Sequence, residues 1–185
     1  MLTAEIAACC KQLKLSHNIV EMAERVQAES HQEYLLKLLQ SELDHMESQR
    51  KDKFLKNAWF YSIKTLDGFR FDEVTLPAAV SPDYLRNCDF IKTKTNLVMY
   101  GNVGTGKTFL SIALGIEACK KGIETRFFRT AALVNRLSEA KKNGVLSAFM
   151  KKLAKADLLI CDEWGYVPLD RTGAQLLFEV ISECY

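Results

Sequence analysis

The stretch "NLVMYGNVGTGKTFLSIAL" (residues 96–114) joins two apolar segments of different periodicity through a turn that contains three glycines. The first segment, 96–100, is short and apolar, as is typical of a buried strand, and the second, 109–122, has the periodicity of a helix. The turn between them fits the pattern G-x-x-x-x-G-K-[ST] in full. A strand, a glycine-rich turn and a helix in this order predict a phosphate-binding loop.

Each residue type in the predicted loop has a physical role in holding phosphate. The glycines let the backbone turn and approach phosphate oxygens, and the N–H groups of 104–108 face an anion at a helix N-terminus. Lys107 is predicted to contact the β- and γ-phosphates and to act in catalysis, and the Thr108 hydroxyl to reach Mg²⁺. The predicted nucleotide-binding residues are Gly101, Asn102, Val103, Gly104, Thr105, Gly106, Lys107, Thr108 and Phe109.

A second motif, "DLLICDEWG" (157–165), places two acidic residues at the end of an apolar strand. In parallel α/β sheets ligands bind at the carboxyl ends of the strands. Asp162 is suited to hold Mg²⁺ through its water shell, and Glu163 to orient and deprotonate an attacking water. An acidic strand end that faces solvent is the alternative, which the loop about 55 residues upstream disfavours. The pair of acids predicts hydrolysis of a nucleoside triphosphate.

The first part of the chain has the composition of a helical module. Residues 1–57 contain neither glycine nor proline and are rich in helix-forming residues. Ser30 followed by Glu33 has the spacing of a capping box, which marks the start of a helix. The three predicted helices cover 3–14, 17–28 and 31–57.

The helical pattern of the first part ends at a junction that contains Gly68, Pro77 and Pro82. Ser81 before Pro82 predicts the start of a short helix. Strands at 96–100, 124–130 and 157–163 then alternate with helices at 109–122, 131–144, 145–156 and 172–185. This alternation predicts an α/β fold, a P-loop parallel sheet flanked by helices. The predicted parts are a helical N-terminal module at 1–60, a junction at 61–95 and the P-loop core at 96–185.

Positive charge is concentrated in two segments, although the formal net charge is only +2. The segment 136–155 has one acid, Glu139, and six cations: Arg136, Lys141, Lys142, Lys151, Lys152 and Lys155. These six are candidate DNA-binding residues, and a solvated helix face is an equally open interpretation. In the second segment, 50–64, cations alternate with aromatic residues, for which packing of the junction is the favoured explanation.

Cysteine usage and hydropathy favour a cytoplasmic protein without a membrane segment. The six cysteines show no C-x-x-C pair and no metal-ligand spacing, which indicates reduced, mostly buried thiols. The first residues lack the apolar core of a signal peptide, and no apolar run reaches the length of about 20 residues that spans a bilayer.

Three stretches of the chain resemble the IstB family, the ATP-binding helper proteins of bacterial insertion sequences. They are "FIKTKTNLVMYGNVGTGKTFLSIALGIEACKKG" (90–122), "RFFRTAALVNRL" (126–137) and "DLLICDEWGYVPLDRTGAQLLFEVISECY" (157–185). The family is similar to the DnaC and DnaI helicase loaders. The resemblance implies an AAA+ ATPase that uses ATP and Mg²⁺, assembles on DNA as a homo-oligomer and assists a partner transposase in transposition and DNA recombination.

The resemblance also assigns roles to residues. Lys107 and Thr108 match the Walker A positions, and Asp162 and Glu163 match Walker B. The helices after "RFF" match the region where initiator and loader ATPases contact DNA. Two other functions stay open: a replicative helicase loader of the DnaC type, and a nucleotide-gated binding module for DNA or protein without turnover.

One departure from the family pattern concerns the end of the chain. The resemblance implies a further strand between the Walker A and Walker B strands, then a sensor residue, an arginine finger and a lid. Tyr185 precedes all of these, so the chain is expected to be C-terminally truncated, to retain nucleotide binding and to be weak or inactive in ATP turnover. A slot is then expected between 96–100 and 157–162, to be left open, filled by side chains or closed by the two strands.

Overall fold

A computed structural model describes residues 2–165 and 170–184. The chain divides into two compact units, Met1–Asp52 and Lys53–Tyr185. None of the helices in the described ranges is long and apolar enough to cross a membrane.

The first unit is helical. Helices α1 (Leu2–Gln12) and α2 (Asn18–Ala23) precede α3 (His31–Asn57), whose last turns belong to the second unit. The three predicted helices are confirmed, although α2 ends five residues before its predicted end because the chain turns after Ala23. The capping box forms in part: Ser30 Oγ accepts from Glu33 N at 3.1 Å, and the Glu33 carboxylate accepts from Glu29 N at 2.8 Å.

The second unit begins with short elements and continues with the predicted alternation of helices and strands. The elements are a 3₁₀ turn at Phe71–Glu73, α4 (Pro82–Arg86), α5 (Asp89–Lys92), α6 (Lys107–Lys120), β1 (Thr125–Arg129), α7 (Thr130–Lys142), α8 (Leu146–Leu153), β2 (Leu158–Asp162) and α9 (Arg171–Glu183). The short helix predicted at Pro82 is confirmed, and Ser81 Oγ caps it by accepting from Tyr84 N at 3.1 Å. Tyr185 and residues 166–169, which belong to predicted elements and motifs, lie outside the described residues.

Strands β1 and β2 pair in parallel, which confirms the strands predicted at 124–130 and 157–163. Phe127 in β1 packs with Ile112 and Ile116 of α6, whereas the next residue, Phe128, packs with α7, α8 and α9. This alternation of faces is the period of two that a strand imposes. The sheet therefore lies between α6 on one face and α7 to α9 on the other, and both carboxyl ends, Arg129 and Asp162, meet at one edge.

The strand predicted at 96–100 is wrong for this structure. The segment has no assigned secondary structure, and within the described residues β2 pairs with β1 alone. Leu97 and Met99 are half-buried against the core, whereas Val98 and Tyr100 are 87% and 94% exposed. The backbone is thus placed on the core without a neighbouring strand, and a strand requires that ladder of hydrogen bonds. Of the three expected outcomes, closure by pairing of 96–100 with β2 does not occur.

Junction aromatics pack on β1, as the favoured explanation of the segment 50–64 predicts. Ala58 O accepts from Phe127 N at 2.8 Å. Trp59 lies edge-on to Phe128 with ring centroids 5.1 Å apart, and Phe60 lies 5.7 Å from Phe127. The segment after α3 therefore lies along β1 and places three consecutive aromatic side chains, 59–61, near the sheet.

Helix α6 approaches the sheet closely at one glycine. A Cβ atom added at Gly115 would lie 2.7 Å from Ile160 Cδ1 and 2.7 Å from Phe60 Cζ. The missing side chain thus lets α6 lie against β2 and the junction at the same point.

Candidate functional site

The glycine-rich loop has a conformation that favours glycine at three positions, one of which is Gly101 with a φ angle of +145°. Gly104 and Gly106 have φ angles of +83° and +82°, in the left-handed region that other residues rarely adopt. Gly106 directly precedes α6, and the Thr105 hydroxyl closes the loop by donating to Asn102 O at 2.9 Å. The first N–H groups of a helix have no acceptor within the helix, so the loop ends at a feature suited to bind an anion.

Lys107 folds back over this loop. Its ammonium donates to Gly101 O at 2.9 Å and to Asn102 O at 2.7 Å. A cation is therefore positioned at the mouth of the loop by two neutral carbonyls. An anion at the same place would make a charge-assisted hydrogen bond, which is about twice as strong as a neutral one.

The two residues predicted to hold Mg²⁺ are in contact. The Thr108 hydroxyl donates to both carboxylate oxygens of Asp162, at 3.0 and 2.9 Å. Helix α6 supplies the threonine and the end of β2 supplies the aspartate, so the parallel sheet brings together residues 54 positions apart. One hydroxyl and one carboxylate suit Mg²⁺, which keeps several waters and takes its other ligands from phosphate. In the part of the chain that the structure describes, no three His, Cys, Asp or Glu side chains are grouped so that they could hold a metal ion.

The end of β2 is fixed from the β1 side. Thr130 follows Arg129, begins α7 and is buried, and its hydroxyl donates to Asp162 O at 2.8 Å. The backbone that carries the carboxylate is therefore held by a hydrogen bond beyond the ladder between the strands.

Glu163, the predicted catalytic base, lies just past β2 with a left-handed φ of +59°. Its carboxylate is 3.7 Å from Arg129 Nε, and both side chains are about half exposed. The Arg129 guanidinium in turn lies 4.7 Å from the centre of the Tyr61 ring. Arg129 was not among the residues predicted for the site, although its position at the end of a parallel strand indicates that it shares an edge with the acids.

The remaining predicted loop residues have different surroundings. Val103 is 82% exposed at the tip of the loop, and Asn102 contributes its carbonyl to Lys107. The Phe109 side chain stacks on Phe69 with ring centroids 5.8 Å apart and packs against the core. Phe109 therefore anchors the start of α6, and its side chain is engaged in packing.

All six basic candidates of 136–155 are exposed. They lie on or just beyond α7 and α8, which pack together through Leu137 and Met150. Within the ranges described, none of the six lies at ion-pair distance from a carboxylate. The structure therefore places these six residues on or just beyond one pair of helices, and none of them is ion-paired within the described residues.

Two of the six meet at an aromatic ring. The Arg136 guanidinium lies 4.7 Å from the centre of the Trp59 ring, and Lys152 Nζ lies 5.5 Å from it. The Arg126 guanidinium is 5.6 Å from the same ring. These contacts were not predicted from the sequence, since no short-range pattern joins residue 59 to residue 152.

The parallel strands between two layers of helices make this unit an α/β fold, and its glycine-rich loop fits the pattern of nucleotide-binding loops. More narrowly, the chain belongs to the family of IstB-like ATP-binding proteins, whose family model matches residues 8–185.

Curated relatives carry the same association with insertion sequences. One, named for ATP binding and for IS5376 of Geobacillus stearothermophilus, is 34% identical over 159 residues, which cover 84% of this chain and 62% of the relative. Another, named in the same way for IS21 of Pseudomonas aeruginosa, is 29% identical over 98% of this chain and 70% of its own length. A third relative, named for IS232 of Bacillus thuringiensis subsp. berliner, is 33% identical over 83% of this chain and 61% of its own length. The chain thus spans about two thirds of the length of these relatives.

Proposed function

We propose that the chain binds ATP with Mg²⁺ at the loop 101–108 and hydrolyses it, and that it does so on DNA in support of an insertion-sequence transposase. The observation that carries the proposal is the contact between the Thr108 hydroxyl and the Asp162 carboxylate beside the Lys107 ammonium. A hydroxyl, a carboxylate and a lysine at a helix N-terminus are the groups that Mg²⁺ and a triphosphate require.

In this proposal Lys107 exchanges its two carbonyl acceptors for phosphate oxygens. The backbone N–H groups at the start of α6 hold the same anion, and Phe109 keeps that end of the helix on the core. Thr108 and Asp162 would hold Mg²⁺, and the ion would supply positive charge against the phosphates. Each of these groups binds or orients, and none of them moves a proton.

Glu163 is the group proposed to accept a proton from the attacking water. Its carboxylate follows directly after Asp162, so the proposed base and the metal-holding carboxylate share one strand end. The Arg129 guanidinium lies 3.7 Å from this carboxylate and 4.7 Å from the centre of the Tyr61 ring, so a positive charge stands beside the proposed base. The position of Glu163 at the strand end, next to Asp162, supports this role.

Nucleotide binding is tested with Lys107→Ala in a titration of ATP with Mg²⁺. A hydrogen bond to a charged group contributes about 1.5–3 kcal/mol, so the variant should bind about 10- to 100-fold more weakly. Lys121→Ala, at the opposite end of α6, is the matched control and should bind as the parent does. Equal affinity of the parent and Lys107→Ala would refute the site.

Hydrolysis is tested separately with Glu163→Gln. This variant should retain ATP binding and lose turnover, because the amide cannot accept the proton. Turnover equal to that of the parent would show that another group activates the water.

The proposal extends to DNA and to a transposase partner. The relatives are named for insertion sequences, and the uncompensated cations on α7 and α8 support binding of a polyanion. Replacement of Lys141, Lys142, Lys151 and Lys152 by Gln should weaken duplex binding and flatten its salt dependence, by up to about 0.9 log unit of slope for each lost phosphate contact. An unchanged slope would contradict the DNA part of the proposal, and failure of the chain to co-purify with a co-expressed insertion-sequence transposase would contradict the partner part.

A further inference from the structure

Three cations from three different elements converge on one indole ring. Arg126 comes from β1, Arg136 from α7 and Lys152 from α8, and each lies within 5.6 Å of the centre of the Trp59 ring. Trp59 lies two residues after the end of α3 and is 36% exposed. The ring face attracts cations through its quadrupole, so the indole holds together charges that repel one another.

The cluster has more positive charge than the protein compensates. Glu124 pairs with Arg126 at 2.6 Å, but no carboxylate in the described part of the chain pairs with Arg136 or Lys152. Arg126 is only 6% exposed, and its Nε is a buried donor for which the described residues provide no acceptor. Buried donors without a partner are rare in proteins and call for an explanation. A bound anion would lower the repulsion between the cations.

The backbone of Trp59 is held in an unusual conformation. Its φ of +64° is a genuine outlier for a bulky side chain. The neighbouring Ala58 O accepts from Phe127 N, and the indole packs edge-on against Phe128. Such strain persists where the surroundings fix it, and it clusters at functional sites. The position of the ring is therefore determined by β1, on which one of the cations also lies.

We propose that Trp59, Arg136 and Lys152 form a site for the phosphodiester backbone of DNA, with the buried Arg126 lying against the same ring. This inference rests on the proposed DNA binding and identifies where it is centred. A nucleic acid is favoured because the site continues into four more exposed cations on or beside the same two helices: Lys141, Lys142, Lys151 and Lys155. A polyanion with repeated phosphates can contact several such cations, and the partly exposed indole offers a surface for sugar or base.

The site is tested through the fluorescence of Trp59 itself. The chain has two tryptophans, so Trp164→Phe leaves Trp59 as the single indole reporter. Duplex DNA added to this variant should change the Trp59 emission, and the change should reverse as salt is raised. Inorganic phosphate at the same total phosphate concentration should leave the emission unaltered. An equal response to inorganic phosphate would overturn the assignment to DNA.

Charge variants measure the contribution of each cation. Arg136→Gln and Lys152→Gln should each reduce the salt slope by about 0.9 and weaken duplex binding about eightfold at 0.1 M salt. Lys121→Gln, an exposed lysine at the far end of α6, is the matched control and should change neither quantity. Both test residues are exposed, so these variants are expected to keep the fold of the parent.

The failure of this site is distinguishable from failure of the proposed function. If labelled duplex binds while Trp59 emission and both salt slopes stay as in the parent, the site is wrong and DNA binding stands. If no duplex binds at all, the site and the DNA part of the proposed function both fail. The ATP titration with Lys107→Ala reports on the nucleotide site independently of either result.

Discussion

Gly115→Ala tests the close approach between α6 and the sheet. The added Cβ would lie 2.7 Å from Ile160 Cδ1, 2.7 Å from Phe60 Cζ and 2.9 Å from Phe60 Cε1. Carbon atoms pack at about 3.5–4.0 Å, so each neighbour has to retreat by about 1 Å. Phe60 also packs against Phe127, and its retreat therefore disturbs the contact between the junction and β1.

Two opposing effects determine how much Gly115→Ala changes the free energy of unfolding. Overpacking in a well-filled core costs about 1–3 kcal/mol. Alanine in place of glycine within a helix stabilises the helix by about 1 kcal/mol. We expect Gly115→Ala to lower the free energy of unfolding by about 1 kcal/mol on balance, measured by urea denaturation followed by circular dichroism.

A second substitution shows whether the steric argument is correct. Ile160→Val removes the Cδ1 atom that the new Cβ meets and alone costs about 0.5–1.5 kcal/mol. The double variant should be more stable than the sum of the single effects predicts, by roughly 0.5 kcal/mol or more. Asn135→Ala, on an exposed position of α7, is the control for helix propensity and should stabilise by roughly 0.5 kcal/mol. If Gly115→Ala stabilises the protein as this control does, with additive behaviour toward Ile160→Val, the reasoning is refuted.

Two further predictions concern thiols and a helix cap. Burial raises the pKa of Cys88 to about 11 and that of Cys161 to about 12, above the ordinary 9.0. These thiols ionise at lower pH in the unfolded chain than in the folded one, so they should make the free energy of unfolding fall as pH rises from about 9 toward 11–12, with no contribution below pH 9. The urea midpoints of the parent and of a Cys88→Ala, Cys161→Ala variant should therefore converge as pH rises. Parallel midpoint profiles would contradict this prediction. Ser81→Ala removes the oxygen that accepts from Tyr84 N and should destabilise by about 1 kcal/mol in the same assay, whereas Ser81→Asp should retain most of the stability.

Local sequence signals predicted most of the second unit because turn and capping residues mark where its helices and strands begin and end. The runs that became β1 and β2 are apolar, short and bounded, and the structure places them within one residue of prediction. The segment 96–100 has the same local character but forms no strand. A strand depends on a neighbour that local sequence does not specify, and Val98 and Tyr100 are left exposed.

The candidate site divides in a similar way. Lys107, Thr108 and Asp162 belong to motifs whose spacing is tied to a strand, a turn and a helix, and the structure brings the last two into contact. The contacts of Trp59 with Arg136 and Lys152 could not be predicted in this way. They join residues 77 and 93 positions apart through the packing of a junction on a sheet, for which no repeating pattern exists.

The hydroxyl of Thr130 links the start of α7 to the end of β2, which are far apart along the chain. Thr130 is the first residue of α7, and it holds the carbonyl of Asp162 at 2.8 Å. A displacement of the first turn of α7 would therefore either move the Asp162 carbonyl with it or break this hydrogen bond. Breaking the bond would cost about 1 kcal/mol. The position of α7 and that of the residue that carries the Asp162 carboxylate are thus coupled.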